Sequence, residues 1–388
     1  MNTAPLASRG AMMERVEVDN LVVGAGVIGL AIGAEFARRG RSIFVIEAGP
    51  NFGQGISSRN SEVIHSGIYY PTGSLKHLFC VEGRRRLYAY CQNHGVAYRK
   101  CGKLVAAFDD AESEGLATLA GRAEQNHVEN VEIVDGATAR RMEPALRAAS
   151  ALHVKETGII DSHGLMLSLL GEIEDGGGAL LPNHRAVGGR LAGGSRYEVR
   201  VESPSGLLAI TTANLIIAAG MWTNALAARF EGMSSLGAPP LFLAKGSYFA
   251  LSGPSPFTRL IYPLPMRGGL GVHLTLTLDG RARFGPDVEW LVSNNPEQTD
   301  FGVDPARAQD FYASVRRYWP ELPDGALIPD YAGVRPKLAG PNAPAADFRL
   351  SGPQEHGFSG LLVLYGMESP GLTSALAVGA RVADMLAT

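Results

Sequence analysis

Asn20-Leu21-Val22-Val23-Gly24-Ala25-Gly26-Val27-Ile28-Gly29 is the stretch whose reading decides the fold. Asn20 to Val23 is the short apolar run that a buried parallel strand needs. Leu30, Ala31, Ile32, Gly33, Ala34, Phe36 and Ala37 follow at helical spacing, and Ser42-Ile43-Phe44-Val45-Ile46 reads as a second strand ending at Glu47. Strand, glycine turn, helix and strand together form a unit that holds a dinucleotide. Gly24 permits the tight turn, Gly26 lets the backbone approach a pyrophosphate, and Gly29 lets the helix pack closely on the strand. Val27 and Ile28 open the helix whose positive end faces the phosphates. Glu47 lies 21 residues beyond Gly26, with Ala48 beside it. That is near the ~20 residues expected for a carboxylate accepting hydrogen bonds from ribose hydroxyls. An acid there disfavours a nucleotide carrying a 2′-phosphate, which it would repel.

The next segment runs Gly53-Gln54-Gly55-Ile56-Ser57-Ser58-Arg59-Asn60-Ser61-Glu62-Val63-Ile64-His65-Ser66-Gly67-Ile68-Tyr69-Tyr70. A nicotinamide domain would continue with another regular helix and strand. This segment is polar, broken by glycine and rich in hydroxyls, as a loop wrapped around an extended ligand is. From Ser57 to Tyr70, then through Gly73-Ser74-Leu75-Lys76, Cys80-Val81-Glu82-Gly83 and Cys101-Gly102-Lys103-Leu104, the chain resembles the D-amino-acid-oxidase-type flavoprotein superfamily. Within it, the likeness is strongest to the L-2-hydroxyglutarate dehydrogenases and oxidases. Further motifs follow in that family's order. They are Thr157-Gly158-Ile159-Ile160-Asp161, Asn183-His184-Arg185-Ala186-Val187, Leu215-Ile216-Ile217-Ala218-Ala219-Gly220 with Trp222-Thr223, Ala332-Gly333-Val334-Arg335-Pro336, and Ser369-Pro370-Gly371-Leu372-Thr373.

The resemblance implies FAD, held non-covalently. By that resemblance, cofactor contacts extend beyond the opening unit to Ser57, Ser58, Arg59, Asn60, His65, Ser66 and Gly67 in the loop. They continue at Ala186 and Val187, at Ala219, Gly220 and Trp222, and at Arg335, Pro370, Gly371, Leu372 and Thr373. It also implies a fold that is α/β plus α+β: a Rossmann-like FAD-binding domain (19–82, 150–225 and 328–388) interleaved with an antiparallel-sheet substrate domain (83–149 and 226–327). Residue patterns agree where they speak. Gly83–His94, Glu112–Gln125 and Ser162–Gly171 have helical character, while Gly271–Thr277 and Arg281–Gly285 alternate as strands do.

Oxidising an alcohol to a ketone requires a group that takes the hydroxyl proton, a substrate C–H aimed at flavin N5, and stabilisation of charge on the reduced ring. A helix starting near Gly371-Leu372-Thr373 would aim its free N–H groups at the N1 edge of the flavin. Arg335 is the candidate for gripping a substrate carboxylate, because a planar guanidinium makes two parallel hydrogen bonds to it. His65 and His273 are rival or partner bases, since imidazole titrates near neutrality. Lys245 and Tyr248 match a segment that faces substrate in relatives. An arginine, a glycine and an acid are the commoner pattern there, so Lys245 and Ser247 depart from it.

The bulk properties set outer bounds. At 388 residues, with 46% hydrophobic and 19% charged, the chain suits a well-packed enzyme of roughly two domains of ~100–200 residues. A net charge of −3 gives no reason to expect nucleic acid. Cys80, Cys91 and Cys101 form neither CxxC nor zinc spacing, so reduced thiols and no metal are expected. No apolar run reaches the ~18 residues of a spanning helix, and Met1–Val18 reads as a loose leader without a signal-peptide core. The expected compartment is the cytoplasm, peripheral to the inner membrane if the electron acceptor is a quinone rather than oxygen. Arg84-Arg85-Arg86 is expected on an exposed helix face. The leading reading is oxidation of a 2-hydroxy acid resembling L-2-hydroxyglutarate, a small carboxylate substrate. Amino acid, amine or glycerol 3-phosphate oxidation is the alternative on the same fold. A flavin relay subunit without turnover is another.

Overall fold

The computed structural model describes residues 14–232, 236–264 and 271–387. The first strand runs Glu14–Val23 and pairs in parallel with Gly206–Ile217 along its length. Glu14 to Val18, expected as leader, are therefore ladder-paired. Their backbone groups are satisfied by the neighbouring strand, although most of their side chains are exposed or half-exposed. Residues 1–13 of that expected leader lie outside the described residues.

Five strands form one continuous parallel run in the order Leu361–Tyr365, Gly206–Ile217, Glu14–Val23, Ile43–Ile46 and Ala179–Leu181. The helix Val27–Arg38 crosses from the first strand to Ile43–Ile46 and packs against Gly371–Met385 and Ser162–Asp175. Leu75–His94 packs on Gly371–Met385 in the same layer. Leu30, Ile32, Phe36, Leu87, Leu169 and Val378 share the core between these helices and the sheet. The opposite face is covered by an antiparallel meander in which Arg185–Ala192 pairs with Arg196–Ser203, and that with Gly206–Ile217.

The second sheet is mostly antiparallel and runs Glu289–Trp290, Phe242–Leu251, Ala282–Phe284, Leu274–Leu276, Leu260–Pro263, Lys103–Ala107, Ser150–Val154, Val131–Asp135. Leu327–Lys337 pairs with the other side of Phe242–Leu251. One pair departs from the expected antiparallel pattern: Leu260–Pro263 lies parallel to Lys103–Ala107. The sheets also divide the chain differently from the boundaries expected at 149/150 and 327/328. Ser150–Val154 and Leu327–Lys337 belong to the second sheet, because each is hydrogen-bonded there along its length. Residues 83–94 continue a helix of the first layer.

Caps explain the helix limits. Leu75–His94 starts where Ser74 accepts from His77 N and Asp347 accepts from Leu75 N and Lys76 N, and it stops at Gly95 in the left-handed region. Asp109 and Asp161 cap Asp110–Gln125 and Ser162–Asp175 in the same way. Arg84 corrects the reading of the three arginines as one exposed face. It is buried at 1% exposure and paired with Glu129, which Arg85 also engages. No described helix is long and apolar enough to cross a membrane. Among the described residues, no group of three or more His, Cys, Asp or Glu is placed to hold a metal ion.

Candidate active site

A cavity of about 1480 Å³ lies between the two sheets. It exceeds the ~300–1,000 Å³ of an ordinary small-ligand pocket, which leaves room for a dinucleotide and a substrate together. One wall is mainly backbone. Gly24, Gly26, Val27 and Ile28 border it, with Glu47 and Ala48 at the end of the second strand. Gly24 sits at φ +106, where a Cβ would come within 2.6 Å of Ala218 O. Gly29 does not border the cavity. It allows the helix to lie against the turn, since a Cβ there would sit 1.9 Å from Gly24 O. The helix Val27–Arg38 has no side-chain cap and no acid in its first turn. Its Val27 N–H is met by Ser57 Oγ at 3.0 Å. The Glu47 carboxylate accepts from Ala25 N and Gly49 N, both at 2.9 Å, which fixes it at the cavity edge with lone pairs remaining.

The rest of this wall comes from distant segments. Arg59 and Asn60, Ala186, and Ala219, Gly220 and Trp222 all border the cavity, as do Pro370, Gly371 and Leu372 at the open start of the last helix. Besides Gly29, five expected cofactor contacts do not border it. Ser58 bonds back to Gly55 O; Ser66 is buried; Gly67 lies under Val81; Val187 sits in the outer meander. Thr373 holds the loop in place by accepting from His65 N at 3.0 Å and donating to Val63 O at 3.3 Å.

The facing wall is made of side chains. Tyr248, Tyr262, His273 and Arg335 project into the cavity from the second sheet, and His65 and Tyr69 from the loop. Arg335 donates through Nη2 to Asp287 O at 2.8 Å, and its remaining donors are available to a carboxylate. Tyr248 stacks on Tyr331 at 4.5 Å, and His273 lies flat on Tyr262 at 3.5 Å and 8°. His65 Nε2 is 3.3 Å from Ser369 Oγ, and its buried Nδ1 has no partner among the described residues. Burial, helped by the Lys103 charge, lowers the His65 imidazole to about 3. It is therefore neutral throughout the physiological range.

Lys245 is not among the residues bordering the cavity; its ammonium lies 3.9 Å from Asp300. Alternation along Phe242–Leu251 gives the cavity side to Gly246 and Tyr248 instead. A cluster missed in the sequence also borders the cavity. Lys76 and Lys337 both clasp Glu368, at 2.9 Å and at 2.9 and 3.0 Å. Burial would raise the Glu368 carboxyl, but the two ammonium groups outweigh it and hold it below its ordinary range. Lys76 ends the quoted Gly73-Ser74-Leu75-Lys76 run, but no shared motif marks the three as a cluster, because they meet only through the fold.

The residues present fit FAD. An uncapped helix end and arginines at 59, 185 and 229 suit two phosphates. The glycine turn lets bare backbone border the cavity, since a Cβ would meet Ala218 O at 2.6 Å from Gly24 and Ser57 Oγ at 3.0 Å from Gly26. His65 Nδ1, without a partner among the described residues, marks a polar position.

Comparison with known proteins agrees with this geometry. The chain is 41% identical to the mitochondrial L-2-hydroxyglutarate dehydrogenase of Arabidopsis thaliana, over 95% of this chain and 83% of the relative. It is 30% identical to the human mitochondrial L-2-hydroxyglutarate dehydrogenase over 73% and 63%. Among solved structures it is similar to FAD-bound L-alpha-glycerophosphate oxidase from Mycoplasma pneumoniae, with a TM-score of 0.85 at 22% identity over 96% and 95% of the two chains. Glycine oxidase from Geobacillus kaustophilus gives a TM-score of 0.78 at 20% identity over 96% and 95%. The model of the FAD dependent oxidoreductase family matches residues 19–385, and the chain belongs to that family.

Proposed function

We propose that the protein oxidises a small 2-hydroxy acid, L-2-hydroxyglutarate before others, to the 2-keto acid. The observation that carries this reading is the 41% identity to a named L-2-hydroxyglutarate dehydrogenase over 95% of the chain. The convergence of Arg335, Tyr248, His65 and His273 on one cavity supports it. FAD, when bound, supplies the acceptor for the hydride that leaves the substrate carbon.

The chain's own residues do the rest. Arg335 takes the carboxylate in two parallel hydrogen bonds, with its position fixed by the Asp287 carbonyl. Tyr248 closes the cavity beside it. His273 takes the hydroxyl proton as the C–H bond breaks, so that the carbonyl forms without an alkoxide in the cavity. His65 is the poorer base, because burial has made its protonated form unfavourable. It serves instead as a neutral hydrogen-bonding wall anchored to Ser369 and Thr373.

Anaerobic mixing of the yellow protein with L-2-hydroxyglutarate should bleach the visible flavin band, while the D-enantiomer, L-amino acids and glycerol 3-phosphate should leave it. Bleaching by an amino acid or by glycerol 3-phosphate alone would replace this reading with the alternative on the same fold. No bleaching by any of them favours a relay subunit. Re-oxidation of the bleached protein in air-saturated buffer identifies oxygen as electron acceptor; persistence until a quinone is added identifies a quinone.

A further inference from the structure

Lys103 opens the strand Lys103–Ala107 in the middle of the second sheet, with 0% exposure. Every Asp and Glu of the chain lies among the described residues. None of them pairs with Lys103, and among the described residues its Nζ has no hydrogen-bond partner. What surrounds the ammonium is aromatic: Tyr69 at 4.5 Å and Tyr262 at 4.7 Å from the ring centroids. Two such contacts do not offset the burial of a charge. Both rings border the cavity. His273 lies flat on Tyr262 at 3.5 Å, which leaves only the other face of that ring for Lys103. The cation thus stands directly behind the aromatic wall of the active site.

The titratable groups packed around Lys103 supply no negative charge at neutral pH. His65, from the loop, is neutral. Cys80, from Leu75–His94, is pushed up to about 12 by burial. Burial also raises Tyr69 and Tyr262. Arg84, which acts on Cys80 from the same helix, is a further cation. Among the described residues none supplies a compensating anion, and the place where one can come close is the cavity bordered by Tyr69 and Tyr262.

We propose that Lys103 is a positioning residue whose ammonium, held behind Tyr69 and Tyr262, is completed by the anionic occupant of the cavity, so that binding a dicarboxylate is coupled to uptake of a proton by Lys103. Without an occupant, desolvation brings this lysine down to about 7. Anion binding restores its charge, so affinity should fall as pH rises through that region.

The test uses the FAD-loaded protein and glutarate, a dicarboxylate that lacks the hydroxyl to be oxidised, followed by perturbation of the flavin spectrum. In the wild type, the Kd for glutarate should rise by up to about tenfold per pH unit between roughly pH 7.5 and 8.5, the limit for one coupled proton. Lys103→Met should bind weakly with a flat profile. Lys103→Arg, charged at every pH, should bind tightly with a flat profile. Lys337 keeps its ion pair with Glu368 in both variants, so a slope lost in both belongs to Lys103.

A second readout is thermal stability without glutarate. The folded-state value lies below the ordinary 10.5, so the wild type should gain stability as pH rises from about 7 towards 9.5. Lys103→Met, which replaces an uncompensated buried charge, should melt higher at pH 7 and lack that gain. Retention of the wild-type binding slope in both variants, or a lower melting point for Lys103→Met with unchanged binding, overturns the proposal. If Lys103→Met does not fold, the slope in Lys103→Arg decides. Only the binding arm rests on the dicarboxylate reading. A wild type that ignores glutarate at every pH breaks that reading, and the melting comparison then judges Lys103 alone.

Discussion

The two walls of the cavity are built from different materials. The cofactor wall is mainly backbone: a turn at Gly24, a helix start whose N-cap, Gly26, has no side chain, and a second open helix end at Gly371. The substrate wall is side chains: Tyr248, Tyr262 and Arg335 from strands that meet only in the folded sheet, and His273 from the residue before Leu274–Leu276. A backbone site depends on the absence of atoms, and a side-chain site on the direction in which atoms point. Damage to the first should therefore be all-or-none and damage to the second graded.

The largest effect is expected at Gly29. An alanine there would put a methyl 1.9 Å from Gly24 O, so helix and turn must move apart and the phosphate seat is lost. Gly29→Ala should purify colourless, or fail to retain FAD through gel filtration, whatever the substrate. A yellow Gly29→Ala protein with normal flavin content would break the contrast between the walls.

The contrast also explains what could be read from the chain. The opening part of the cofactor wall is local in sequence: strand, glycines, helix and Glu47 fall within about thirty residues, and the turn chemistry admits few alternatives. The substrate wall is not local. Arg335 was legible because glycine and proline flank it in a motif, whereas Lys76, Glu368 and Lys337 belong to three separate elements with no shared pattern. The strand Phe242–Leu251 has no counterpart among the alternating runs read from the sequence, where Lys245 and Tyr248 stand only on a resemblance to a substrate-facing segment. A resemblance carries no strand phase, and residues three apart on a strand fall on opposite faces, so Tyr248 borders the cavity and Lys245 does not.

Next in size is Arg335→Met. Removing a carboxylate-gripping guanidinium from a buried site costs on the order of 10³ in kcat/KM, while FAD content should remain near one per chain. Loss of FAD instead would move Arg335 from the substrate wall to the cofactor wall. His273→Asn should follow, lowering kcat by roughly 10²-fold or more, as deletion of a general base does. His65→Asn should cost less. The wild-type imidazole at position 65 is lowered to about 3, so it contributes no charge change above pH 5. The wild-type kcat profile should therefore show no inflection that disappears in His65→Asn between pH 5 and 8. An acid limb that vanishes with His65 would exchange the roles of the two histidines.

The smallest effect is the sharpest test of phase. Lys245 and Tyr248 are three residues apart on one strand, yet Tyr248 borders the cavity and Lys245 faces Asp300. At 3.9 Å, with Asp300 87% exposed, that ion pair is worth well under about 1 kcal/mol. Lys245 still buries its stem along the sheet, so truncation removes packing as well as charge. Lys245→Met keeps that packing and should leave KM for L-2-hydroxyglutarate within about twofold of wild type, because its ammonium lies toward Asp300 and does not border the cavity. Tyr248→Ala should raise KM severalfold under the same assay, because it opens the substrate wall itself. A reversed order, with Lys245→Met the worse of the two, would mean that the strand presents its other face to the substrate, and the side-chain wall would have to be redrawn around Lys245.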